Sequence, residues 1–152
     1  MATTIKTIEI AELLHTALTA VMPTIDGTKA AVYAQGVKTT IDGAVDANSA
    51  ENKQRCPAVN IIVHERRPYR FSSVLRAFPV VIRAVSIHAH DPFQVDLYTL
   101  SQAVAEWIAQ PGALVLTLAE FDALVQEDSP DYDTEEEHQY FEWTLSLKTR
   151  QT

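Results

Sequence analysis

The chain has 152 residues, a net charge of −8 and 47% hydrophobic residues, values typical of one folded domain and not of a disordered chain. Its uncharged runs are shorter than the roughly 20 apolar residues of a membrane helix, and the first residues, MATTIKTIEI, do not resemble a secretory signal. The acidic balance disfavours non-specific binding to duplex DNA, and the single cysteine, Cys56, excludes an internal disulfide.

One helix and then strands are predicted in the first part of the chain. Residues 4–22 are predicted to form an amphipathic helix that Pro23 ends. Its apolar face, at steps of three and four, consists of Ile10, Leu14, Ala17, Leu18 and Val21. Residues 29–41 are rich in Val, Thr and Tyr and are interrupted by Gly36, which favours a short hairpin. Residues 42–57 have almost no large apolar side chains, and we expect a mobile loop there.

Two long antiparallel strands are predicted in the middle of the chain. They are the apolar stretches 58–64 and 79–88, which have the composition of buried strands. The connection between them contains the arginine-rich stretch HERRPYRF. We therefore expect the arginines at the tip of this strand pair.

A second long helix is predicted after these strands. Asp91 offers an N-cap oxygen, and Pro92 suits the first helical position. The helix is expected to run to about residue 110, where a Pro-Gly pair ends it. Its predicted apolar face consists of Leu97, Leu100, Val104, Trp107 and Ile108.

A short third helix and a closing strand are predicted in the last part of the chain. Residues 117–120, TLAE, match a capping box that begins a short helix. The inward residues of this helix are expected to be Phe121, Leu124 and Val125. After an acidic loop, residues 138–150 alternate between apolar and polar side chains, which predicts a half-buried antiparallel strand. The predicted fold class is α+β, a single domain with an antiparallel sheet packed against two longer helices and one short helix.

Candidate catalytic and metal-binding groups are sparse. His88 and His90 stand two apart on a predicted strand with Asp91 close by, so that the two imidazoles could ligate one zinc ion. Asp91 is already assigned to the helix cap, however, and the spacing offers no third His or Cys ligand. The four glycines cannot assemble a phosphate loop or a dinucleotide fingerprint. We therefore expect a protein that is not an enzyme and has no cofactor, with a metal-binding module or small enzyme as the alternative.

Opposite charges are concentrated in two stretches of the sequence. Four of the twelve basic residues lie within residues 64–77, and eight of the twenty acidic residues lie within 127–142. One interpretation is two solvated loops. The other is that unlike patches let one subunit bind the next head to tail, with aromatic side chains adding contact area. The predicted interface residues are Arg66, Arg67, Tyr69, Arg70, Phe71, Arg76, Glu135, Glu136 and Glu137.

The order of the predicted elements covers nearly the whole chain. It comprises an N-terminal helix, the strands PAVNIIVHE and FPVVIRAVSIHA, the helix DLYTLSQAVAEWIAQ, a late polar loop and the closing strand YFEWTLSLK. This profile resembles the tail terminator proteins of long-tailed bacteriophages, a group that overlaps the tail-completion and minor tail proteins. The resemblance rests on the order of shapes and on no invariant motif, so no catalytic residue is carried over.

The resemblance implies a structural role in the virion. The subunit would form a homo-oligomeric ring, usually of six copies, on the last ring of the tail tube, where it would stop polymerisation and offer the surface that joins the head. Its expected partners are other copies of itself, the tail tube protein and a head–tail connector protein. Genomic DNA would pass through the ring without specific binding. The expected location is the head–tail junction, and the host cytoplasm during assembly, with another connector component such as a head-completion or adaptor protein as the alternative.

Overall fold

A computed structural model describes residues 7–25, 27–34, 57–65, 67–68, 76–110, 121–135 and 137–149. The described residues form a mixed α/β structure with two helices, α1 (Thr7–Val21) and α2 (Val95–Ile108). The strands are β1 (Thr24–Ile25), β2 (Thr28–Lys29), β3 (Ala31–Ala34), β4 (Ala58–Val63), β5 (Arg67–Pro68), β6 (Arg76–Ile87), β7 (Phe121–Gln126), β8 (Asp131–Glu135) and β9 (His138–Thr149).

One mixed sheet contains all of these strands except β1 and β2. Its main path has the order β3-β4-β6-β9-β7, while β5 adds to β6 and β8 adds to β9. The centre is the antiparallel pair of β6 and β9, in register from Arg76 opposite Thr149 to Ile87 opposite His138. β4 is antiparallel to β6, which confirms the predicted pair of long strands.

The prediction of a purely antiparallel sheet is wrong at one edge. β3 runs parallel to β4, with Ala31 opposite Ala58 and Ala34 opposite Ile61. A parallel pair needs a crossover connection of a dozen or more residues, and the chain between these two strands is long enough for one. The second arm of the hairpin predicted at 29–41 lies outside the described residues, as does nearly all of the loop predicted at 42–57.

Both helices pack on the same face of the sheet. α1 contacts β3 and β4, and α2 contacts β6 and β9. The predicted helical faces are largely confirmed, because Ile10, Leu14 and Leu18 of α1 are fully buried. The buried residues of α2 are Leu97, Leu100, Ser101, Val104 and Ile108. Three predicted positions differ: Val21 is exposed at the end of α1, and Ala17 and Trp107 are only partly buried.

Alternation along β9 explains how the sheet meets the helices. Trp143, Leu145 and Leu147 are buried in the core and Phe141 packs against it, as the closing-strand pattern predicts. Their partners across the ladder are the apolar residues of β6 on the same face: Ala84, Ile82, Val80 and Phe78. Successive side chains of a strand point to opposite faces, so the intervening residues face away from the helices.

At the start of α2, Asp91 accepts hydrogen bonds from the helix as predicted, but the first helical residue differs from the prediction. The carboxylate of Asp91 accepts hydrogen bonds from the backbone N–H groups of Asp96 (3.1 Å) and Leu97 (2.9 Å). The helix nevertheless begins at Val95, because Gln94 before it adopts a left-handed conformation with φ 61°. Pro92 therefore lies in the preceding turn, and Asp91 caps the helix from farther away than the predicted N-cap position.

The predicted third helix is wrong for residues 121–126. This segment forms β7, which pairs antiparallel with residues 145–149 of β9. A capping box is a local signal, and the backbone groups of a neighbouring strand edge can override it. The side chains of Phe121, Leu124 and Val125 and the capping-box residues 117–120 lie outside the described residues. The acidic loop is also partly a strand, because residues 131–135 form β8.

Candidate functional site

Described residues from the two charged stretches lie toward opposite ends of the ladder formed by β6 and β9. Arg76 pairs with Thr149 at one end, and Arg67 pairs with the neighbouring Ala77, which defines the arginine-bearing end. At the other end His138 pairs with both Ile87 and Glu135, the last residue of β8, which defines the acidic end. With a rise of about 3.3 Å per residue, the two ends are about 36 Å apart.

The nine predicted interface residues are described to different extents. Five of them lie outside the described residues: Arg66, Tyr69, Arg70, Phe71 and Glu136. Arg67 and Arg76 are placed by their backbones, while their side chains lie outside the description. Glu135 and Glu137 are exposed at the acidic end.

The acidic end presents its carboxylates on the face of the sheet away from the helices. All five residues of β8 are exposed. Tyr132 lies opposite Phe141 on the helix-covered face, so Asp131, Asp133 and Glu135 alternate to the other face. Glu142 lies opposite Asp131 on that same face.

Arg83 of β6 lies among these carboxylates and carries a positive charge. Its Nε donates to Oε1 of Glu142 at 3.1 Å, and its Nη1 lies 3.8 Å from Oε2 of Glu135. Its guanidinium carbon lies 4.4 Å from the ring centroid of Tyr140, a cation–π contact. Four carboxylates therefore share this part of the face with one guanidinium, which leaves an excess of negative charge.

The pKa of Tyr140 depends on its burial and on these surrounding charges. Burial of its side chain raises the pKa of Tyr140 above the ordinary tyrosine value, since burial disfavours the phenolate. The positive charge of Arg83 lowers the same pKa, while Asp133, Glu142 and Glu135 raise it further. The hydroxyl therefore remains protonated at neutral pH and acts as a neutral group next to the ion pair.

A buried hydrogen-bond network holds β8 in place. The side chain of Gln139 is fully buried, and its Nε2 donates to Oγ of Ser86 (3.0 Å) and to the backbone carbonyl of Asp91 (2.8 Å). Its Oε1 accepts from the hydroxyl of Tyr132 (3.1 Å), which also accepts from Nε2 of Gln94 (3.0 Å). The acidic strand is thus tied to β6 and to the turn before α2.

Exposed aromatic and apolar side chains lie on the helix side of the acidic end. We call Phe93, Val95, Tyr98 and Tyr132, all of them exposed, the aromatic patch. The ring centroids of Tyr98 and Tyr132 each lie 5.5 Å from that of the half-buried Phe141. Sequence reasoning missed this surface, although Phe93, Val95 and Tyr98 lie off the predicted apolar face of the second helix.

The histidine pair does not form the predicted arrangement on a strand. β6 ends at Ile87, and His88 and His90 are exposed in the turn that follows. The carboxylate of Asp91 is directed at the first turn of α2. Within the described ranges, no three His, Cys, Asp or Glu residues are grouped to hold a metal ion. Among the residues that the structure describes, neither helix has the length and apolar character needed to cross a membrane.

Comparisons with known proteins add no relative from which a function could be transferred. Neither a scan against protein-family models nor a search of curated proteins finds a match for this chain. The features of this chain that bear on its function are therefore the distribution of charge along the sheet and the surfaces at its acidic end.

Proposed function

We propose that this protein is a structural subunit of a ring that caps the tail tube of a long-tailed bacteriophage, stops tube polymerisation and provides the surface that joins the head. The observation that carries the proposal is that the backbones of Arg67 and Arg76 lie toward one end of the twelve-residue strand pair and the acidic strand β8 lies toward the other. A subunit of this kind has an acidic pole and a basic pole on different parts of its surface.

Unlike poles on one subunit favour a head-to-tail contact between copies. Such a heterologous contact produces a closed ring when the rotation between neighbours permits closure. The net charge of −8 opposes unspecific self-association, because like-charged molecules repel. Association then requires the arginine-bearing end of one copy to meet the acidic end of the next, which fixes the orientation of neighbours.

A ring on the tip of a tube stops growth if its two sides differ. One side binds the exposed edge of the last tube ring, and the other side recruits no further tube protein. The resemblance to tail terminators supports this role, since α1, β4, β6, α2 and β9 follow one another in the order of that profile. In this role the protein is a virion component without enzymatic activity, usually in six copies, and contacts the tube protein, a connector protein and passing DNA.

The proposal is tested by locating the protein on particles and by adding it to growing tubes. We expect gold-labelled copies at the head–tail junction in electron micrographs and rings on tube tips when purified protein is added to tube protein of the same phage. Native mass spectrometry gives the number of copies in each ring. Labelling elsewhere on the particle, or unrestrained tube growth in the presence of the protein, overturns the proposal. Labelling only on the head side of the junction assigns the chain to another connector component.

A charge-swap experiment tests the head-to-tail contact itself. Reversal of Arg66 and Arg67 to Glu is expected to abolish rings at tube tips without unfolding the domain. Reversal of Glu136 and Glu137 to Arg is expected to do the same, and it spares the pair between Arg83 and Glu135. A chain that carries all four reversals restores opposite poles, so rings are expected to return. Reversal of the exposed Lys29 is the matched control.

A further inference from the structure

The aromatic patch is unusual for a surface that faces only water. Phe93 is 86% exposed, Val95 64%, Tyr98 57% and Tyr132 42%. Single exposed apolar residues are common, but a group of large ones marks an interaction site. Val95 and Tyr98 lie three residues apart and so share one side of α2, and Gln94 between Phe93 and Val95 is hydrogen-bonded to Tyr132.

Two members of the patch, Tyr132 and Tyr98, are held by contacts within this chain before any partner binds. Tyr132 has its hydroxyl fixed by Gln139 and Gln94, and its ring contacts Phe141 edge-on. Tyr98 also contacts that ring, tilted by 52°. Side chains that are already ordered lose little conformational entropy on binding, which favours affinity.

The chemistry around the patch points to a cationic partner. Tyr132 is flanked along β8 by Asp131 and Asp133, whose carboxylates lie on the opposite face of the same exposed strand. A partner that crosses this strand therefore meets aromatic rings on one side and carboxylates on the other. Arginine suits both, because its guanidinium stacks on aromatic faces and pairs with carboxylates.

We propose that the aromatic patch binds the arginine-bearing segment, residues 64–76, of a second copy of this chain. That segment has the complementary composition, since its sequence HERRPYRFSSVLR contains four arginines, a tyrosine and a phenylalanine. It also begins and ends near the pole opposite the patch, where Arg67 and Arg76 lie in paired strands. The inference rests on the proposed ring and names the surface that anchors each contact within it.

A contact that combines stacking with ion pairs differs from a purely ionic one. Salt screens interactions between exposed charges, most strongly beyond the Debye length, which falls from about 8 Å at physiological ionic strength to about 3 Å at 1 M salt. Apolar and stacking contacts are not screened in this way. Self-association that uses the aromatic patch is therefore expected to persist, though weakened, at salt concentrations that abolish a contact between charges alone.

The decisive variant is Phe93→Ser in the full chain. Phe93 is the most exposed large apolar residue among those described, so its removal leaves the core unchanged. The probe is a synthetic peptide of residues 64–76, titrated into the full-length protein and followed by NMR. We expect peptide-induced shifts at residues 93, 98 and 132, and an affinity loss of about tenfold in the variant. Val21→Ser, at an exposed apolar residue on α1, is the matched control.

The outcomes separate this inference from the proposed function. If the peptide does not shift these residues, or binds Phe93→Ser and wild-type protein equally, the inference is overturned. Rings of Phe93→Ser protein that form on tube tips as readily as wild-type rings overturn it too, while the capping role stands. Absence of wild-type protein from tube tips overturns the capping role, whereas peptide binding at the patch still supports self-recognition.

Discussion

The two faces of the β6–β9 ladder differ sharply although they alternate along the same backbone. On the helix-covered face Ile82 and Leu145 are fully buried in one continuous apolar core. On the other face Arg83 and Glu142, directly opposite each other in the same register, form a part-buried ion pair. Apolar burial contributes most of a fold's stability, whereas exposed or part-exposed ion pairs contribute little.

This difference separates stability from assembly within one pair of strands. Substitutions on the helix-covered face are expected to change the free energy of unfolding. Substitutions on the charged face are expected to change recognition between copies while the fold remains. A surface built in this way can adapt its charge to a partner without loss of the core.

The largest expected effect comes from a cavity on the helix-covered face. Leu145→Ala removes a fully buried side chain from β9, and large-to-small changes of this kind cost about 2–5 kcal/mol. The neighbouring Thr144 is exposed on the other face, so Thr144→Ala is the matched control, expected to stay within about 0.5 kcal/mol. Urea unfolding monitored by circular dichroism measures both. Equal costs at the two positions would show that the faces do not differ as described.

A smaller effect is expected from Gln139, the buried polar residue that interrupts the apolar face. Gln139→Ala removes the hydrogen bonds to Ser86, Tyr132 and the backbone carbonyl of Asp91, at a cost of about 1–3 kcal/mol. Because the lost bonds hold β8, hydrogen exchange of the β8 amides is expected to accelerate more than that of β6. Tyr132→Phe removes fewer of these bonds and serves as the graded comparison. Uniform acceleration across both strands would contradict a local role.

Local patterns in the sequence predicted the helix-covered face well. The alternation of residues 138–150 predicted β9 and its buried side, and the spacing of Leu97, Leu100 and Val104 predicted the buried side of α2. Asp91 was correctly predicted to accept hydrogen bonds at the start of α2, a local signal, although Gln94 is the residue directly before the helix. These signals act between residues that are close together in the chain, so a single sequence is enough to reveal them.

Features that depend on distant pairing were not predictable in this way. β7 and β8 exist because β9 offers them a strand edge, and no local pattern within residues 121–135 encodes that edge. The composition of the charged stretches could be read directly, but their separation follows from the register of β6 on β9. The aromatic patch joins α2 to β8 across more than thirty residues of sequence, as the hydrogen bond between Gln94 and Tyr132 illustrates.

The ion pair on the charged face is expected to contribute less than either of the preceding changes. A double-mutant cycle with Arg83→Gln and Glu142→Gln is expected to give a coupling energy of about 0.2–1 kcal/mol, because both side chains remain partly exposed. The coupling should decrease as salt is added. A coupling as large as the cost of Leu145→Ala would contradict the division between a stabilising and a recognising face.

The smallest expected effect on stability appears at alkaline pH, and it depends directly on the charges of this face. Burial raises the pKa of Tyr140 in the folded state above the ordinary tyrosine value of about 10. The neutral phenol therefore contributes stability that is fully present below that ordinary value. This stability is lost as the pH rises through the folded-state pKa. Arg83→Gln is expected to raise this pKa further, and Glu142→Gln is expected to lower it, because their charges act in opposite directions. Phenolate absorbance measures both shifts, with Tyr140→Phe identifying the signal. Shifts of the same sign in the two variants would contradict the proposed arrangement, since only opposite charges near one phenol move its pKa in opposite directions.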